Sequence, residues 1–323
     1  MTPKTNFIIS YFWRWLMVHM WVEVTFEIFA TVIVAYLFPE MGSVSKAKAE
    51  RATYIAVMLF CLTAVNGVGH NFYRIAKPTG LIALGSVFST THVFPLILLT
   101  LDALKHTQIE ELAEDGKEKT LDRFSPKSSF TGKQQFVMGE VWLFLLGVNF
   151  WNVLGAGLMG SMINLPVINY YEHATFFTGG HAHGAMFGVK GNIALASILY
   201  CVQHVVEPED WCPNLVRTAF WSMNGGIALM MVLSMLPTGL YQFYQNIHYG
   251  IWYARSGVIV EDEMIQNLAK MRSVGGNLFV WFGLLPYAYF IFSRWFMMKE
   301  ETPIKNGEEK PSSWMSKSEV EAE

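Results

Sequence analysis

Charge is scarce in this chain, and cysteine is scarcer. Asp, Glu, Lys and Arg make up only 15% of the 323 residues, against 52% hydrophobic. That balance excludes an ordinary soluble domain. It suits a polytopic helical membrane protein, whose lipid-facing surface must itself be apolar. The formal net charge of -3 gives no basic footprint, so nucleic acid is not an expected partner. The three cysteines, Cys61, Cys201 and Cys212, form no CxxC, no CxxCH and no even set. This argues against a disulfide framework and against a covalently attached c-type haem. Residues 1–10 have neither a basic n-region nor a cleavage site, so no signal peptide is expected.

What the chain has is aromatic and apolar: 24 Phe, 13 Tyr and 11 Trp. Seven stretches are long and apolar enough to span a bilayer as helices, near 12–38, 52–74, 79–104, 134–163, 174–206, 215–244 and 274–298. Trp13, Trp15, Tyr36, Tyr73, Tyr170 and Tyr171 stand near their ends, as an interfacial belt requires. The fold class is therefore all-α, a transmembrane bundle of about seven spans. Residues 1–298 are expected to form the membrane domain and 299–323 a disordered cytoplasmic tail. A polar loop at 105–133 carries six basic and six acidic residues, and 259–271 reads as a short amphipathic helix. Lys and Arg concentrate on the side holding 39–51, 105–133, 207–214 and the C-terminus. This places the C-terminus in the cytoplasm and the N-terminus outside a bacterial inner membrane. An outside N-terminus without a signal would follow if an odd number of spans preceded residue 1. A piece of a larger or split protein is therefore expected, with a short translocated tail as the alternative.

Ionisable groups are costly inside a bilayer and tend to mark function. In the first span, His19, Glu23 and Glu27 recur every four residues and form one helix stripe. This spacing serves a metal ligand with a carboxylate relay, or a polar pair between helices. His70 and Asn71 end the second span in "GVGHNFYR"; alone, such a histidine is more often interfacial. His92 lies about 20 Å along the third span, too deep to be interfacial. Either a site role or an interhelical hydrogen bond explains it. In "GGHAHGAMFG", His181 and His183 point about 200° apart, so they address two different groups. Gly180, Gly184 and Gly188 share one face, which serves close helix packing or a flat seat for a porphyrin. With the loops alternating sides, His19, His70 and His181 fall at similar depth in the outer third of the membrane, with Glu23 close by. A His₂-carboxylate set with open positions favours non-haem iron. Lys190 lies deeper on the helix of His181, suited to charge compensation, proton supply or snorkelling. Glu172 and His173 fall at the outer surface and read as interfacial, with contact to haem propionates as the alternative, and His106, His204 and His248 read as solvent-side.

"WRWLMVHMWVE", "GVGHNFY", "GSVFS", "NYYEHATFFTGGHAHGAMFG", "FWSMNGGIALMMVLSMLPTGL" and "IWYARS" run in order over about residues 10–295. Together they resemble the catalytic subunit of the nitric oxide reductases, of the quinol-dependent type, within the haem–copper oxidase superfamily. The resemblance covers the last seven of that family's spans. It implies that His181 is the proximal ligand of a high-spin haem b and His183 an axial ligand of a low-spin haem b. It further implies that His19 and His70 bind a non-haem iron, with Glu23 coordinating it or beside it. Glu27 matches a second acidic residue linked to proton supply. The other low-spin axial histidine would come from an upstream span that has no match here.

Two departures bear on the reaction. The reductases carry two adjacent histidines where this chain has His70-Asn71, and a glutamate where alignment through "GSVFS" places His92. The His-Asn variant resembles the family's nitric oxide dismutases, which are proposed to convert two nitric oxides into dinitrogen and dioxygen without net electrons or protons. The leading expectation is thus a nitric oxide dismutase. Within the class, the alternative is a quinol-dependent reductase forming nitrous oxide. From another class, it is a non-catalytic di-haem electron carrier or scaffold, in which His19, Glu23 and His70 would be incidental.

Overall fold

The computed structural model describes residues 2, 4–41, 44–73, 78–91, 94, 97–98, 101, 134–203, 206 and 210–297. Among them there is no strand. Among the described residues, five helices are long and apolar enough to cross a membrane: α1 Phe7–Glu40, α4 Gly139–Asn164, α6 Phe176–Gln203, α7 Pro213–Tyr249 and α9 Glu263–Phe296. Two others fall where spans are expected. α2, Lys46–Asn66, opens on Lys46, Lys48, Glu50 and Arg51 and ends in a tight turn, Gly67–Asn71. α3, Thr79–Thr91, is apolar but shorter. Short α5, Pro166–Glu172, and α8, Gly257–Val260, lie in connections. The expected amphipathic helix at 259–271 is for the most part the opening of α9, which continues unbroken into the last span. Residues 105–133 and the tail after 298 lie outside the described residues.

Each of these five membrane-length helices widens in mid-course into a turn of the five-residue, π type: Met20–Thr25, Asn152–Leu158, Gly184–Gly191, Met231–Met235 and Leu278–Leu284. Two have a plain cause. Pro237 and Pro286 stand two residues past the last wide position, and a proline cannot donate to the carbonyl four residues back, which lies inside the wide stretch. Two more are glycine-rich. In α1 the widening changes the spacing of the acidic stripe. One inserted residue makes Glu27 equivalent to the seventh, not the eighth, residue after His19. The offset between the two falls from about 80° to about 20°.

Lipid tails are as apolar as leucine, so helices in a bilayer associate by close packing and hydrogen bonds. α4 and α6 meet at Gly155 and Gly184, where a Cβ added to either would lie 2.6 Å from the other's Cα. α7 and α9 meet similarly at Gly226 and Gly275. A buried polar knot then fixes the register of α4, α6 and α7. Trp151 Nε1 donates to Asn224 Oδ1 at 2.8 Å, and the Asn192 and Asn224 amides bond each other at 2.9 and 3.2 Å. Around it, Phe144, Leu145, Ile193, Leu199, Met223 and Ile227 form a packed core.

Near the first turns of α4 and α7 lies a charged contact between residues far apart in the sequence. Glu140, 0% exposed, accepts from Arg217 Nε at 2.6 Å and from Trp211 Nε1 at 3.3 Å.

Candidate metal and haem centre

His19 is the last residue before the wide turn of α1, and His70 sits in the tight turn that ends α2. The structure brings the two together. Their ring centres are 5.4 Å apart at 77°, with the residues 1% and 7% exposed. Ring nitrogens about 2.1 Å from one ion would put each ring centre about 3.2 Å from it, so centres 5.4 Å apart fit two ligands of a single ion. The donor set therefore fits a metal.

His70 is aimed by its surroundings. Gly69 and Gly85 let the end of α2 cross α3 at backbone contact. A Cβ on Gly69 would meet Leu81 O at 2.1 Å, and one on Gly85 would meet His70 N at 2.4 Å. Three residues on, Tyr73 Oη bonds Ser86 Oγ and donates to Asn164 O at 2.5 Å. Asn164 Nδ2 donates to Ser89 Oγ at 2.9 Å, so α2, α3 and α4 are tied around the histidine. Phe72, fully buried, packs on Phe12 of α1 at 5.6 Å and closes the fourth side.

The turn before α6 is equally specified. Ala174 takes a left-handed φ of 61°, which costs a residue with a Cβ about 1–2 kcal/mol. Gln242 Oε1 accepts from Phe176 N at 2.8 Å, and Thr175 Oγ1 accepts from Phe177 N at 3.2 Å, capping the first turn. Glu172 is 2% exposed and accepts from Thr178 Oγ1 at 2.8 Å, which corrects the expectation of an interfacial residue. Its hydrogen bond across the turn explains the burial.

His181 lies one turn further. Its Nδ1 lies 2.8 Å from Gly155 O, and Gly160 leaves room for the ring. A carbonyl only accepts, so Nδ1 carries the proton and Nε2 has the lone pair. His183 Nδ1 donates in the same way to Gly179 O at 2.8 Å. A second hydrogen bond that fixes the tautomer and orients the ring is what axial and metal-bound imidazoles carry. His183 is exposed on the bundle surface, while His181 turns toward α4, so the two side chains head apart as their spacing predicts. In both, the hydrogen bond at Nδ1 leaves the Nε2 lone pair as the atom able to ligate a metal.

The glycine face of α6 serves packing. Gly180 lies against Met159 and Met231, Gly184 against Gly155, and Gly188 against the ring of Trp151. The porphyrin seat weighed from the sequence is replaced by helix contacts, because α4 approaches too closely to admit a planar group there.

Other expected residues are not placed. Among the described residues no group of three His, Cys, Asp or Glu side chains converges as a metal site would, so His19 and His70 stand as a pair. The side chains of Glu23 and Asn71, and the whole of His92, His106 and His204, lie outside the described residues. His173 is half-buried, and exposed His248 lies against Tyr244 at the end of α7. Gly69, Gly85, Gly155 and Asn164 carry no chemistry that a sequence motif would reveal. The glycines' only signal is small size or, for Gly69, adjacency to His70, and Asn164 has no histidine near it in the sequence.

The chain matches the family model described as cytochrome c and quinol oxidase polypeptide I over residues 1–293. It belongs to that haem–copper oxidase family. A curated relative, a nitric oxide reductase subunit from Stutzerimonas stutzeri, is 24% identical over 237 residues, 72% of this chain and 45% of that protein. A cryo-EM structure of a heme-copper terminal oxidase dimer superposes with a TM-score of 0.57 at 15% identity, covering 85% of this chain and 46% of the other. That likeness establishes the fold. The chain spans about half the length of the relatives it matches. The family is one of membrane proteins that bind haems and a metal centre.

Proposed function

We propose that this chain is the ligand-bearing part of a membrane oxidoreductase that converts two nitric oxides into dinitrogen and dioxygen. The observation that carries the reading is the buried His19–His70 ring pair, with Asn71 directly beside it in the sequence. His19 and His70 would hold a non-haem iron, with Glu23 at or next to it. His181 would hold a high-spin haem b and His183 a low-spin haem b. The iron groups, when bound, supply nitric oxide binding and electron exchange.

The chain's own residues bias the chemistry. Gly155 O keeps His181 in the tautomer that offers Nε2, and the Gly69–Gly85 crossing fixes His70. Asn71 offers a neutral amide in place of a second imidazole, a weaker donor. His92 in place of a glutamate removes a carboxylate and with it a proton route. Glu27, brought under His19 by the wide turn, retains one acidic group for protons. Forming dinitrogen and dioxygen from two nitric oxides balances without electrons or protons. Forming nitrous oxide and water requires two of each. A site with a weakened ligand set and less proton supply suits the first.

The assembled enzyme would include upstream spans, from the same protein or a partner chain, that supply the remaining low-spin haem ligand. It would lie among the lipids of a bacterial inner membrane, N-terminus outside and C-terminus in the cytoplasm. Isotopically labelled nitric oxide given to the assembled protein should yield labelled dinitrogen and dioxygen without quinol. Strict quinol dependence with stoichiometric nitrous oxide would instead establish the reductase reading, which the curated relative's name favours.

A further inference from the structure

Lys190 sits inside α6, in its wide turn, seven residues beyond His183. An ammonium at membrane depth is expensive and is commonly relieved by stretching toward the interface. This one turns to a neighbouring helix instead. Its Nζ donates to Val22 O of α1 at 3.4 Å and stands 4.7 Å from the centre of the Phe26 ring, on the same helix. Met186 Sδ lies 4.0 Å away. Val22 belongs to the wide turn of α1, where the change to five-residue spacing takes carbonyls out of the regular ladder. One side chain thus runs from the wide turn of α6 to the wide turn of α1.

What lies on either side of the contact gives it meaning. Val22 directly precedes Glu23, Phe26 directly precedes Glu27, and His19 is three residues before Val22. The helix that supplies the cation carries both His181 and His183. We propose that Lys190 is a positioning residue: its ammonium pins the wide turn of α1, and so His19 and the acidic stripe, to the helix bearing the two haem histidines. It also places a positive charge beside a stretch with two carboxylates. Without it, the freed carbonyl and the turn would settle by other contacts, and His19 would lose its fixed distance from α6. The role for iron rests on the proposed function above; the pinning of α1 to α6 does not.

Two variants of the assembled protein test this. Lys190→Met keeps length and apolar stem but removes charge and donor; Lys190→Arg keeps both. Spin labels on exposed positions, Phe29→Cys on α1 and Ile198→Cys on α6, report the distance between the helices, with Cys61, Cys201 and Cys212 replaced by Ser. Non-haem iron is measured per haem. Lys190→Met should broaden the distance distribution and weaken non-haem iron binding about 10-fold while haem content stays, as loss of an outer-shell partner does. Lys190→Arg should restore both. An unchanged distance distribution in Lys190→Met, or equal disruption in Lys190→Arg, overturns the assignment. If the unmodified protein holds no iron beyond its haems, the proposed function fails, and the distance measurement still decides the role of Lys190.

Discussion

The rings of His19 and His70 stand edge to face, 5.4 Å apart, although they come from different helices and from sequence positions 51 residues apart. Both are buried at the junction of α1, α2 and α3. Their separation depends on a contact that neither residue makes with its side chain, the crossing of Gly69 and Gly85.

Replacing Gly85 by Val should therefore act at a distance on the pair. The added Cβ falls 2.4 Å from the His70 nitrogen, so the turn must move. Stability should drop by about 1–3 kcal/mol, as overpacking does. Non-haem iron per haem should fall in parallel, while the haem spectrum is kept. Metal analysis with thermal unfolding in detergent checks this; retained iron stoichiometry would show that the crossing does not aim His70.

The two histidines of α6 should separate cleanly. His181→Ala is expected to remove the high-spin haem component from the optical and paramagnetic spectra and leave the low-spin component. His183→Ala should do the reverse. A variant that loses both or neither would remove the assignment of one haem to each face.

Asn71→His restores the adjacent pair that the reductases carry. Non-haem iron should bind at least about 10-fold more tightly if this position faces the metal, a gain typical of a better ligand environment. A chelator competition series on wild type and variant measures the ratio. Equal affinities would place Asn71 away from the iron.

Glu140→Ala should destabilise without touching the histidines. It strands the Arg217 guanidinium and the Trp211 N–H, both of which donate to a carboxylate that is 0% exposed. Breaking a fully buried pair costs roughly 3–5 kcal/mol; the 29% exposure of the Arg217 side chain puts the expected loss at the low end. Denaturant unfolding should show the loss with haem spectra unchanged before the transition.

Much of the bundle is legible in the sequence because hydrophobic length is a strong signal in membranes. The expected spans at 134–163, 174–206 and 215–244 agree with α4, α6 and α7 to within five residues at each end. The opposite headings of His181 and His183 follow from helix geometry alone. Other features are not legible. The glycines at 180, 184 and 188 look alike in a string; only the approach of α4 and α7 decides that each meets a neighbour. Glu172 reads as interfacial until the turn at Ala174 folds Thr178 onto it. The contact of Glu140 with Arg217 joins residues 77 apart, and nothing local in either segment announces the other. The wide turn at Met20–Thr25 contains no proline or glycine, so sequence gives no reason to shift the register of Glu27.

Those wide turns carry a further consequence. Val22 O receives Lys190, Gly155 O receives His181 Nδ1 and Gly188 O receives Asn192 Nδ2, each from within a widened stretch. Removing one residue from such a stretch would give a more regular helix. It would also rotate everything beyond by about 100° and withdraw the acceptor that holds the side chain. Straightening α4 would therefore leave His181 with a good helix to face and no carbonyl to set its tautomer. In this bundle, ideal helices and aimed ligands are incompatible goals, and an engineering effort that perfects the first should be expected to lose the second.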